Sequence, residues 1–260
     1  MEEVMYEVKQ RMALITLCRS EKRNAFSFSM VDKLCRTLRD IQNEPKAKLA
    51  IIKAEGNVFS AGADLKELQE MQEETFEENI ANANRWTDLF QMLNSFPKMV
   101  IAQVEGPAMG GGCGLVSACD FAFATSRAVF SCPEVKIGFI PSIVMFFLVQ
   151  RVGEAWAKEI MLAAEPLSAR RAFEIGLINA VVDGDIFEHT KDFAQRLIKG
   201  NSSQSMETTK HMISRIQNMP VEDALRYAAE MNANARISEE CREGVSSFME
   251  DGEPPDWTHK

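Results

Sequence analysis

Three glycines in a row, Gly110-Gly111-Gly112, stand between an apolar run, Val100 to Val104, and a second apolar segment that begins at Cys113. A strand that stops at glycine and restarts as a helix is half of a strand-helix-strand unit, and such units build parallel sheets. A second junction of the same kind lies upstream. Lys48 to Lys53 reads as a buried strand, small residues follow in Phe59-Ser60-Ala61-Gly62-Ala63-Asp64, and a polar helix starts at Leu65-Lys66-Glu67-Leu68. At both places the backbone can approach a ligand closely, and the helix start leaves N–H groups without intrahelical partners. If both turns lie on one edge of a parallel sheet, two N–H groups can converge on one carbonyl oxygen.

The rest of the chain fits an α/β domain. Val4 to Leu17 alternates around Gln10-Arg11, which predicts a hairpin. Met30, Val31, Leu34, Cys35, Leu38 and Ile41 recur at helical spacing after Ser27, a suitable N-cap. Phe121 to Ala124 and Leu177 to Val182 read as strands, and Glu67 to Arg85 as a polar, acid-rich stretch. After Pro141 the pattern turns helical, with segments at 143–149, 155–162, 169–175, 186–198, 207–216 and 222–231. We expect an αβ core over residues 1–195 and a helical extension over 196–260.

Composition narrows the function. With 260 residues and 46% hydrophobic content the chain can bury a large core. Its net charge of −9 opposes binding to nucleic acid. Its longest apolar run, Ile143 to Val149, is far shorter than the roughly 18 residues of a membrane span, and no leader is legible, so a cytoplasmic protein is expected. The six cysteines form no Cys-x-x-Cys pair and the three histidines have no metal-ligand spacing, so no metal site is expected. Gly-x-Gly-x-x-Gly read from Gly110 fails at Leu115, which removes the dinucleotide fingerprint. Cys132 has no histidine or lysine placed to ionise it and is read as packing, and Asp120 as a turn residue.

Phe59 to Glu67, Gly106 to Gly114 and Pro133-Glu134-Val-Lys-Ile-Gly138-Phe-Ile-Pro141, in that order, resemble the crotonase (enoyl-CoA hydratase/isomerase) superfamily. Glu21 to Ala25, Ala169 to Ala172, Gly176 to Asn179 and Glu243 to Phe248 extend the similarity over nearly the whole chain. The resemblance implies a spiral ββα core with a helical C-terminal extension, assembled as a trimer or a dimer of trimers. It implies an acyl-CoA substrate, with CoA part of the substrate and no separate cofactor. The oxyanion amides fall on Ala63 and Gly111, and the catalytic acid on Glu134. Ala61 lies on the adenine side, Lys22, Arg23 and Lys66 are available to the phosphates, and Asp64, Gly110, Gly114 and Ser142 complete the expected contacts.

Two departures bear on the reaction. Two-acid hydratases of the family carry a glutamate where this chain has Gly114, leaving Glu134 alone. Hydration of a 2-enoyl-CoA remains the first expectation, as in one-glutamate members labelled methylglutaconyl-CoA hydratases. Double-bond isomerisation by a single proton shuttle is second, and decarboxylation third. A non-catalytic acyl-CoA binder is the rival from another class. The second departure is Ser142-Ile-Val-Met-Phe-Phe in place of a glycine-rich run, where Met145, Phe146 and Phe147 at helix spacing read either as walls of the acyl pocket or as core.

Overall fold

The structure, a computed structural model, describes residues 2–260. Strands β1 (Val4–Lys9) and β2 (Met12–Leu17) form the expected antiparallel hairpin, with Val4 opposite Leu17. Its two turn residues, Gln10 (φ 49°) and Arg11 (φ 66°), are both left-handed, which matches the twist of the hairpin despite the absence of glycine. Helix α1 (Phe28–Gln42) starts where the Ser27 hydroxyl accepts the Met30 N–H, and buries the predicted apolar stripe. Strand β3 (Leu49–Ala54) runs parallel to β2.

Helices α2 (Leu65–Glu70) and α3 (Phe76–Ser95) follow. The stretch read as merely polar is thus largely helix, closed at its start by a capping box between Thr75 and Glu78. Strand β4 (Met99–Val104) is buried throughout and parallel to β3. The short β5 (Ala108–Met109) then leads into helix α4 (Gly111–Ala118). Strands β6 (Phe121–Thr125) and β7 (Val129–Ser131) precede helix α5 (Ser142–Lys158), which Gly153 interrupts with φ 77°. Next come β8 (Leu167–Ser168), α6 (Ala169–Glu174), β9 (Ala180–Val182) and α7 (Ile186–Gly200). Helices α8 (Ser203–Ile216), α9 (Val221–Ile237) and α10 (Glu239–Asp251) finish the chain.

The main sheet has the order β1-β2-β3-β4-β6-β9, parallel from β2 onward, and β5, β7 and β8 form a second small sheet. Because β3 and β4 are parallel neighbours, the turns that follow them leave from the same sheet edge. Isolated bridges from Phe26 to Ala63 and from Ser60 to Ala108 draw those turns together. One face of the sheet packs on α1, α3, α4 and α5, and the other, through Met12, Leu14, Leu49, Ile51 and Phe123, on α7. The division expected at 195/196 falls inside α7.

Lys48 joins the start of β3 to the end of the chain. It is buried, and its Nζ donates at 2.8 Å to each of the carbonyls of Ile198, Asn201 and Trp257. Burial, with the positive charge of Arg11 nearby, pushes its pKa down to about 8. Lys48→Met should leave two buried acceptors and one part-buried acceptor without a donor and cost about 3 kcal/mol, read as a lower urea midpoint with an unchanged m-value.

Candidate active site

The first turn is shaped by a buried polar pair. The Asn24 amide donates to the carbonyls of Glu55 and Val58, and the Ser60 hydroxyl donates to the Asn24 carbonyl while accepting the Gly62 N–H. The Ala61 N–H goes to the Arg23 carbonyl, the Phe26 N–H to the Gly62 carbonyl and the Asp64 N–H to the Phe26 carbonyl. That pattern consumes the N–H groups on either side of Ala63 and leaves its own without an acceptor among the described residues. Asp64 caps α2 by accepting the Lys66 N–H and pairs with Arg19 at 2.8 Å.

In the second turn, the Gly110 N–H donates to the Ser131 carbonyl and the Gly110 carbonyl accepts the Gly114 N–H. Gly111 is the first residue of α4, so its N–H has no intrahelical partner, and no acceptor outside the helix takes it among the described residues. The two turns touch. Gly110 has φ 50°, and a Cβ built there would lie 3.7 Å from Cα of Gly62 and 2.8 Å from Oε1 of Glu134. Only glycine fits where both turns and a carboxylate meet.

Glu134 opens a 3-10 turn, Glu134–Ile137, that Gly138 ends at φ 74°. Its Oε2 is buried without a hydrogen-bond partner. Burial raises its pKa above 4.5, tempered by its own main-chain N–H. Ala63, Gly111 and Glu134 line one cavity of about 130 Å³, walled by Phe26, Trp86, Ile140 and Val144 among others. Two unpaired donors beside an unpaired carboxylate can stabilise charge on a carbonyl oxygen while a proton moves on or off a neighbouring carbon. Since a base must be ionised to act, the acid limb of the kcat/KM profile should lie above pH 4.5, where an exposed glutamate would place it, and should vanish in Glu134→Gln.

A larger cavity of about 720 Å³ lies between α8 and α4, but its charged groups are engaged: Lys210 pairs with Asp120 at 2.8 Å, and Arg151 donates to the carbonyls of Cys119, Asp120 and Leu177.

The family model for enoyl-CoA hydratase/isomerase matches residues 7–260. The chain belongs to the enoyl-CoA hydratase/isomerase family. An enoyl-CoA hydratase structure from Shewanella pealeana superposes with a TM-score of 0.93 at 33% identity, over 98% of this chain and 96% of that one. A short-chain-enoyl-CoA hydratase of Clostridium acetobutylicum is 28% identical over 257 residues, covering 96% and 95% of the two chains. A 2,3-dehydroadipyl-CoA hydratase of Escherichia coli is 27% identical, covering 98% of each. The fold is the crotonase fold, and the chain is an enzyme of this class.

Against that family background, position 114 is closed. A Cβ on Gly114 would meet Val144 Cγ2 at 2.5 Å and Phe90 Cζ at 3.1 Å, so a side chain where two-acid family members carry a glutamate requires Val144 to move. The expected acyl wall needs correction. Met145 and Phe146 are 43% and 51% exposed, and Phe147 packs against Phe90 in the core; the preceding residues Ile143 and Val144 line the cavity instead. Ser142 lines the cavity too.

Lys22 and Arg23 lie exposed beside Ala61, through the Arg23 carbonyl, whereas Lys66 points outward and pairs with Glu70 at 3.5 Å. Sequence reasoning missed Trp86, whose ring would strike a Cβ on Gly111 at 2.6 Å, and Glu67. The Glu67 Oε2 accepts the Phe28 N–H at 2.8 Å, and its helical position three residues after Asp64 was the available signal.

Proposed function

We propose that the protein hydrates 2-enoyl-CoA thioesters. The Ala63 and Gly111 N–H groups hold the thioester oxygen, each donor of this kind being worth about 2.7–4 kcal/mol to a developing oxyanion. Water adds through its oxygen to the β-carbon, the electron pair of the double bond moves into the enolate, and Glu134 takes the water proton. Glu134 then returns a proton to the α-carbon, so that one carboxyl group serves both transfers. The observation that carries this reading is the meeting of two unpaired N–H groups and the unpaired Glu134 Oε2 on one cavity. The hydratase names of the relatives support it.

A second reading, isomerisation of 3-enoyl-CoA to 2-enoyl-CoA, is favoured by the closure of position 114, because a single base can lift a proton from C2 and return it to C4. Crotonyl-CoA and 3-hexenoyl-CoA incubated in heavy-oxygen water separate the two by product mass. Hydration incorporates the heavy oxygen; a shifted double bond at unchanged mass with 3-hexenoyl-CoA, and no reaction of crotonyl-CoA, supports isomerisation.

In this reading Ala61 lies along the adenine, and Lys22 and Arg23 meet the CoA phosphates, with Lys66 able to swing from Glu70 to join them. CoA enters as part of the substrate. The exposed Leu225, Ile237, Val245, Phe248 and Met249 of α9 and α10 support a trimer or a dimer of trimers, which light scattering tests by mass. Six free cysteines suit a reducing cytoplasmic setting, and no helix among the described residues is long and apolar enough to cross a membrane.

A further inference from the structure

The lining of the catalytic cavity has a one-sided charge. It includes the acidic residues Asp64, Glu67 and Glu134 and, among the described residues, no lysine, arginine or histidine. Asp64 is neutralised by Arg19. Glu67 and Glu134 are not: among the described residues Glu67 has one backbone N–H as its partner and no ion pair, and the Glu134 Oε2 has no partner. Arg19, the cation that acts on Glu67, is already paired with Glu3 and Asp64. Arg85 pairs with Asp32 at 2.5 Å and lies over the Phe28 ring, and Lys66 pairs with Glu70.

We infer that the site, in contrast to what the name of the 2,3-dehydroadipyl-CoA hydratase relative implies for that protein, selects acyl groups that carry no charge, and that Glu67 is the residue that sets this selectivity. The inference rests on the acyl-CoA reading above. An acyl chain ending in a carboxylate would lose its hydration on entry, find no counter-charge, and face two acids across a small apolar space. Specificity here comes from repulsion of the wrong ligand. Glu134 contributes to that field but is also the proton carrier, whereas Glu67 can be changed separately. Burial raises the Glu67 pKa, as expected for a carboxyl group held out of water.

Hexanoyl-CoA and glutaryl-CoA have acyl groups of nearly equal length and differ in the terminal carboxylate, so their affinities, measured by calorimetry, isolate the charge. Hexanoyl-CoA should bind about a hundredfold more tightly, the order expected for one repulsive pair at partly buried separation. Glu67→Gln, whose amide oxygen can still accept the Phe28 N–H, should shrink that ratio about tenfold, chiefly by improving glutaryl-CoA. A thermal melt of the variant checks that α1 and α2 stay docked, and Glu67→Ala, which loses the acceptor as well, should shrink the ratio in the same direction. Equal affinities in the unaltered protein, tighter glutaryl-CoA, or a ratio that Glu67→Gln leaves unmoved would overturn the inference. Crotonyl-CoA turnover is followed in parallel: its absence with the affinity ratio intact would count against hydration and leave the selectivity standing.

Discussion

Glu134→Gln should lower kcat by about 10³- to 10⁴-fold while leaving the affinity for butyryl-CoA within a few-fold. The upper end of the usual range for a general acid-base group is expected because, among the described residues, no other carboxyl group beside the two donor turns has an oxygen buried without a partner; Glu67 is bound to the Phe28 N–H. Position 114 is a glycine with no room above it, and Asp64 is held by Arg19 and the Lys66 N–H. Glutamine keeps the shape and removes the proton exchange, so binding and chemistry separate. Steady-state rates with crotonyl-CoA and calorimetry with butyryl-CoA read the two effects. A loss of less than tenfold in kcat would mean that another group carries the proton.

Gly114→Glu should not convert the site into a two-acid hydratase. The new side chain would run into Val144 Cγ2 and Phe90 Cζ, and its charge would enter a space walled by apolar groups. Overpacking costs about 1–3 kcal/mol and an unpaired buried carboxylate adds a comparable or larger amount, so a loss of about 4 kcal/mol, roughly 10 °C in Tm, is expected. Activity should fall with it. Adding Val144→Ala removes the two methyl groups nearest that position, so the double variant should regain much of the lost stability, a coupling beyond the sum of the single effects. Differential scanning calorimetry on the four proteins of the cycle measures it. A single Gly114→Glu variant as stable as the parent would show that the wall yields, and would reopen a two-acid mechanism.

The pairing of Gly114 with Val144 explains what could and could not be read in advance. The turns at Phe59–Asp64 and Gly110–Gly112 were legible because each is a local pattern: strand, small residues, helix start. Their convergence followed from one topological fact, that β3 and β4 are parallel neighbours. Glu134 stood out through the residues around it, not through spacing. The acyl wall was not legible, because the apolar residues of α5 look alike in sequence, and the phase at which the helix docks depends on contacts with α3 and α4. Helix α3 escaped notice for a related reason: most of its length faces solvent, and only Leu89, Phe90 and Leu93 are buried. Glu67 was legible as a helix residue, but its hydrogen bond to α1 and its place on the cavity are tertiary facts.

The central claim is that Ala63 and Gly111 hold one thioester oxygen in front of Glu134. A crystal structure of the protein with butyryl-CoA tests it most directly. The account predicts the thioester oxygen at about 3 Å from both main-chain nitrogens, with the Glu134 carboxyl against the α- and β-carbons. A thioester oxygen bound to water or to a side chain, with either nitrogen left unpaired, would contradict it.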